Sequence, residues 1–201
     1  MKRHSRSSTA ERAPRGLPLG FVPFMVFSVL SHIGWQWGAL AAFLLGALLV
    51  VRARRAGAAG DALILETSAL VFFALLTCVA FASPHAGLAH YVSALAPSWL
   101  ALTAWATLAV RRPFTLGIAR QNAPREFWST PQFLRINTVI TTAWATSFTL
   151  TAAAVAACIA SGAWAVVQIA CQAAGFLAPV VFTGYYVKAV QARLAALAGT
   201  S

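Results

Sequence analysis

The chain has 201 residues, 60% of them hydrophobic and only 9% charged, with a mean hydropathy of +0.74 and a formal net charge of +11. Soluble domains carry roughly 25% charged residues, so a water-soluble fold is excluded, and long uncharged apolar runs are the mark of helices that cross a membrane. The positive balance does not point to nucleic acid, which needs basic residues gathered on one solvated face; here all 15 Lys and Arg fall in the N-terminal tail, between apolar runs or at their ends.

That charge pattern follows the positive-inside rule. The reading is an all-α, polytopic integral membrane protein of one domain, with six transmembrane helices and both termini cytoplasmic. Residues 1–16 (MKRHSRSSTAERAPRG) form a basic, polar tail expected to be disordered. The apolar run from Leu17 leads straight into another span, so it reads as an anchor and not as a cleaved leader.

Leu17 to Val51 is apolar except at SHIGWQWG, Ser31 to Gly38. One helix of that length would overshoot a hydrocarbon core of about 30 Å, so two spans are expected, about 18–33 and 36–51. Trp35 and Trp37 suit the outer interface between them. Gly38, Ala42 and Gly46 make a small-residue stripe, fit for close packing inside the monomer or in a homo-oligomer. Arg52, Arg54 and Arg55 open a cytoplasmic loop, and Asp61 suits the start of a third span, about 62–82.

Ser83 to Gly87 is the second outer turn. The fourth span, about 88–110, contains Pro97, which should kink it, with Ser93 and Ser98 available to bond nearby carbonyls. It stops at Arg111-Arg112-Pro113. The cytoplasmic loop 111–132 alternates Phe114, Leu116, Ile118, Phe127 and Trp128 with arginines. Such a loop should lie among anionic lipid headgroups, with Arg111, Arg112, Arg120, Arg125 and Trp128 making the contacts. Thr130 and Pro131 then restart helix as N-cap and first residue. The fifth span, about 133–160, is longer than one crossing requires, so its first turns should stand in the cytoplasm or the helix should tilt. Ser161, Gly162 and Trp164 turn the chain into a sixth span, about 163–187; residues 194–201 form a cytoplasmic tail.

Few side chains can carry chemistry. Glu66 lies inside the third span, where an acid is costly and serves either as an ion pair with Arg52, Arg54 or Arg135 or as a proton or cation site. Gln168, Gln172, Gly175, Pro179 and Thr183 share one face of the sixth span. They suit a polar seam, with Thr142, Thr146 and Thr149 of the fifth span as partners, or a water-lined path. His32, His85 and His90 cluster at outer ends without the company a metal site needs. Cys78, Cys158 and Cys171 read as small apolar thiols. Catalytic and nucleotide-binding motifs are missing, as are intramembrane histidine pairs for haem. No cofactor, no metal and no enzymatic activity are expected.

The chain combines a Leu17-Pro18-Leu19 entry followed by Pro23 and Phe24, a basic loop after the second span, and the step Arg112-Pro113-Phe114. Trp128 then leads into a span holding Asn137, Trp144 and Phe148, and Gly184-Tyr185-Tyr186 closes the last span. This arrangement resembles the intracellular septation protein A family of bacterial inner-membrane proteins. The resemblance implies an inner-membrane location, a part in cell-envelope integrity and division, and no catalytic residues. The expected function is therefore a non-enzymatic membrane protein acting through helix and lipid contacts. The alternative is a small channel or transporter using Glu66 and the Gln168 and Gln172 face.

Overall fold

In the computed structural model, residues 19–31, 33–58, 60–84 and 87–198 are described. Among them there is no strand, and seven α-helices follow in order: α1 Val22–Leu30, α2 Trp35–Arg55, α3 Ile64–Ala82, α4 Leu88–Ala109, α5 Phe114–Asn122, α6 Pro131–Ala160 and α7 Ala165–Ala198. The expected tail 1–16 and the Leu17-Pro18 entry lie outside the described residues.

Five of these helices, α2, α3, α4, α6 and α7, are long and apolar enough to cross a membrane. The sixth expected span is shorter. A 3-10 turn at Leu19–Phe21 runs into α1, giving an apolar helix from Leu19 to Leu30, about 18 Å at 1.5 Å per residue. Its two ends meet the first turns of α3 and α2. A Cβ on Gly20 would stand 3.0 Å from Leu65 and 3.2 Å from the Glu66 carboxyl carbon, at the first turn of α3. At its far end Ser31 lies against Gly38 in the first turn of α2.

The stripe Gly38, Ala42 and Gly46 is consumed inside the chain. Gly38 meets Ser31, Ala42 is fully buried, and Gly46 faces Pro23 and Leu70. Trp35 is not free at an interface either: it is buried, and its Nε1 donates to the carbonyl of Pro84 at 3.1 Å, tying two turns together. Trp37 is the exposed indole of the pair, edge-on to Phe81.

Segment 111–132 is more structured than an alternating loop. α4 closes with paired bonds, Arg111 N–H to Leu108 O at 2.9 Å and Arg112 N–H to Thr107 O at 2.8 Å. The same closure ends α2 at Gly57 and α6 at Gly162, where glycine takes the left-handed backbone the motif needs. At α4 a non-glycine, Arg111, holds φ 55°. The chain then folds into α5, which packs on the Gly60–Leu63 turn and on the start of α6. Phe114 enters the core, while Thr115 donates to the Asn137 carbonyl at 3.1 Å and meets Thr141 at 2.8 Å. Asn137 is satisfied in turn by the Phe133 carbonyl. The overlong start of α6 is therefore the platform on which α5 docks. Thr130 caps that helix, accepting the Phe133 N–H, with Pro131 at its first turn.

The core is arranged around α1. Phe21, Phe24 and Phe27, three residues apart, emerge from one short helix toward two halves of the bundle. Phe21 stacks on Trp144 at 5.0 Å and meets Phe176 at 5.1 Å, joining α6 and α7. Phe24 and Phe27 pack on Phe73 at 4.9 and 5.4 Å, joining α3. Elsewhere α3 and α4 are pinned by Trp99, whose Nε1 donates to Ser68, itself 2.6 Å from Thr103.

Phe21→Ala should therefore loosen α1 from both halves and cost about 3–5 kcal/mol, the usual range for a buried Phe→Ala. Denaturant unfolding of the purified protein in detergent micelles measures it. Leu19→Ala, at a side chain 60% exposed, should cost far less; equal losses would contradict the assigned core.

Candidate functional site

The polar face of α7 divides into a seam and a crevice. The seam is built around a proline. Pro179 has no N–H to donate to the carbonyl four residues back, which is Gly175. In an apolar surrounding that orphan would cost several kcal/mol. Ser147 of α6 donates its hydroxyl to that carbonyl at 2.6 Å. Such a bond requires close helices, and Gly175 permits it: a Cβ there would fall inside Thr151. One helical stretch further on, Trp144 Nε1 donates to Thr183 at 3.1 Å, and Thr183 donates to the Pro179 carbonyl.

The fifth-span partners are thus Trp144, Ser147 and Thr151, not the threonines expected from sequence. Thr142 donates back to the Thr138 carbonyl, and Thr146 is exposed. Thr149 bonds the Ala145 carbonyl and accepts from Trp105 of α4. Serine and threonine commonly bond the carbonyl four residues back, as Thr142 and Thr149 do here, and neither forms a hydrogen bond with α7.

Toward the end of the bundle that carries Ser31, Ser83 and Ser161, α7 parts from α1 and leaves a crevice of about 450 Å³. Phe24, Met25 and Val29 of α1 form one wall and Ile169, Gln172 and Leu177 of α7 the other. Ala96 and Pro97 of α4 lie at the back, and the rings of Phe21, Phe148 and Phe176 close one end. Met25, Val29, Ile169 and Leu177 are exposed, so the crevice opens sideways between α1 and α7. Gln168 lines it but is spoken for: its Oε1 accepts from Ser93 at 3.1 Å and its Nε2 donates to the Ala163 carbonyl at 3.2 Å. Gln172 also lines it, and among the described residues none forms a hydrogen bond with its amide.

Glu66 is placed apart from this face. It sits in the first turn of α3, against the backbone of Gly20. Among the described residues, Arg52, Arg54 and Arg135 make no ion pair with it. The crevice ends on the rings of Phe21, Phe148 and Phe176, and Glu66 is not among its lining residues. The structure thus places Glu66 outside the crevice that Gln168 and Gln172 line.

The arginine segment forms a second polar region at the opposite end. Arg120 and Arg125 lie over the Trp128 ring at 5.6 and 5.8 Å, and its Nε1 donates to the Ala123 carbonyl. Arg111 and Arg112 are exposed beside the α4 terminus. His32 and His85 lie outside the described residues; His90 is exposed and edge-on to Tyr91. Among the described residues no group of His, Cys, Asp and Glu could hold a metal.

Phe21, Phe176 and Ser147 were not singled out as site residues from sequence. The usable signal was Pro179: a proline inside an apolar helix demands a donor aimed at the carbonyl four residues earlier. Gly175→Ala should force α6 and α7 apart and destabilise the protein by about 1–3 kcal/mol, as overpacking does. Gly184→Ala on the same helix, where nothing lies within 4 Å, should be neutral or stabilising in the same unfolding measurement. Comparison with protein-family models, curated proteins and solved structures returns no match, so geometry alone supports the functional reading.

Proposed function

We propose that this chain is a six-crossing protein of the bacterial inner membrane that holds one apolar chain of an amphipathic lipid in the crevice between α1 and α7. The observation that carries the reading is the crevice itself: apolar, open sideways, and furnished with one amide that no described residue occupies. It follows α7 from Ala165 to Leu177, about 18 Å, which matches one leaflet of a hydrocarbon core of about 30 Å. Gln172 lies eight residues below the exposed Trp164, about 12 Å, deep enough to meet a carbonyl or hydroxyl of a lipid and too deep for bulk water.

Six crossings are supported by the apolar stretch Leu19–Leu30, whose two ends meet the first turns of α3 and α2, and by the exposed apolar faces of α2, α3 and α7. The orientation follows from Arg52, Arg54, Arg55, Arg111, Arg112, Lys188 and Arg193, which all belong to one end of the bundle and so lie on the cytoplasmic side. At that end Arg111, Arg112, Arg120, Arg125 and Trp128 meet anionic headgroups, as guanidinium and indole groups do. The protein acts through lipid and helix contacts and performs no covalent chemistry. Glu66 does not line the crevice that Gln172 lines, which makes transport through both the less supported reading.

Two measurements test this. A phospholipid carrying a diazirine midway along one acyl chain, photolysed with the protein in nanodiscs, should label α1 and α7 at the crevice. Ala173→Trp, which fills the opening, should lower that labelling severalfold. Gln172→Leu should weaken it roughly fivefold, the worth of one hydrogen bond of about 1 kcal/mol. Labelling spread evenly over α2 and α3 and indifferent to both changes would sink the reading. For orientation, Gly87→Cys in a chain whose native cysteines are alanine should react with an impermeant maleimide from outside intact cells; reaction only after lysis would reverse the topology.

A further inference from the structure

The crevice between α1 and α7 has polar side chains among its apolar ones, and among the described residues all of them are neutral. Ser28 and Ser31 of α1, Ser93 of α4, Thr151 of α6 and Gln168 and Gln172 of α7 line it. No Asp, Glu, Lys or Arg occurs in residues 17–51, 88–110 or 136–187, which supply its walls. Most of these polar groups are spoken for. Ser31 Oγ donates to the Ser28 carbonyl at 3.2 Å, Thr151 to the Ser147 carbonyl at 2.7 Å, and Ser93 to Gln168. The Ser28 hydroxyl and the Gln172 amide remain, one on each wall, both half-buried and without a hydrogen bond to any described residue.

Depth then discriminates between head groups. Exposed Trp164 marks the membrane interface, and Gln172 lies about 12 Å below it along α7. In a phospholipid the ester carbonyl stands a few bonds from a charged phosphate. A phospholipid whose carbonyl reaches Gln172 therefore draws its phosphate below the interface, between walls that offer no cation. An unpaired charge in apolar surroundings costs far more than a hydroxyl or amide that finds a partner. An uncharged head escapes that cost, and Ser28 and Gln172 together supply it with donors and acceptors. We propose, on the footing that the crevice holds a lipid, that its preferred ligand is a single-chain amphiphile with an uncharged hydroxyl, ester or amide head, of the monoacylglycerol, fatty alcohol or fatty amide class. Such a molecule sinks head and chain together, where a phospholipid is held back by its phosphate.

The test compares two probes with the same diazirine-bearing acyl chain, a monoacylglycerol and the matching lysophosphatidylglycerol. Each is added at equal mole fraction to the full chain in phosphatidylcholine nanodiscs, photolysed, and the labelled peptides are quantified by mass spectrometry. The monoacylglycerol should label the crevice faces of α1 and α7 roughly tenfold more than its phosphate-bearing counterpart. Gln172→Leu should lower the monoacylglycerol signal roughly fivefold, the worth of one hydrogen bond. Val29→Lys puts a cation on the crevice at a side chain already 69% exposed, where the fold tolerates it. That change should raise lysophosphatidylglycerol labelling and leave monoacylglycerol labelling within about twofold. Equal labelling of the crevice by the two probes, or stronger labelling by the lysophosphatidylglycerol, overturns the head-group preference and leaves the lipid reading standing. Crevice labelling by neither probe overturns both.

Discussion

Stability in this bundle depends on a short helix that wedges rings between two halves. Water drives apolar surface together in soluble proteins, but lipid tails are as apolar as leucine. Helices in a bilayer are held by close packing and by hydrogen bonds. Phe21, Trp144, Phe148 and Phe176 form five ring contacts between 5.0 and 6.0 Å. At about 0.5–1.5 kcal/mol each, that cluster is among the largest single contributions available. The Leu19–Leu30 segment can be short because its three phenylalanines reach both α3 and the α6 and α7 pair. Gly38, Gly46 and Gly20 let the backbones of α2 and α3 come close enough for this to happen.

The second constraint is the rule that every backbone group inside lipid finds a partner. Pro179 breaks that rule locally, and the fold answers with Ser147. The bond at 2.6 Å fixes the separation of α6 and α7, and that separation in turn demands glycine at 175. Pro97 similarly frees the Ser93 carbonyl in α4, while the Ser93 hydroxyl reaches Gln168 on α7. Both prolines thus stand beside contacts that position α7.

Legibility followed from the same physics. Long uncharged runs gave the helices, because few other arrangements satisfy an apolar backbone. Thr130 and Pro131 marked the start of α6, because capping is a local event written in adjacent residues. The face Gln168, Gln172, Gly175, Pro179 and Thr183 was visible as a periodicity. Its partner was not: which of seven serines and threonines on α6 face it depends on helix rotation, and sequence carries no rotation. The docking of α5 through Thr115 and Asn137 was hidden for a different reason. Those residues are 22 apart and read separately as loop and span. Glu66 was grouped with the glutamines because polarity was the only coordinate available; its place against Gly20, outside the crevice, is a tertiary fact.

On the polar face of α7 the residues do different work according to what they meet. Thr183 and Gly175 are consumed by α6, and Gln168 by Ser93 and its own helix turn. Gln172 is left without a partner among the described residues, although an amide at that depth is costly unless it bonds something. A leucine there would pack against Met25 and Ile169 at no such cost. On the proposed lipid-binding reading, the amide is the feature that distinguishes a binding crevice from an imperfectly filled gap between helices. The gap alone could be filled by any acyl chain. Only the amide gives the crevice a preference for one chain's polar group over another's.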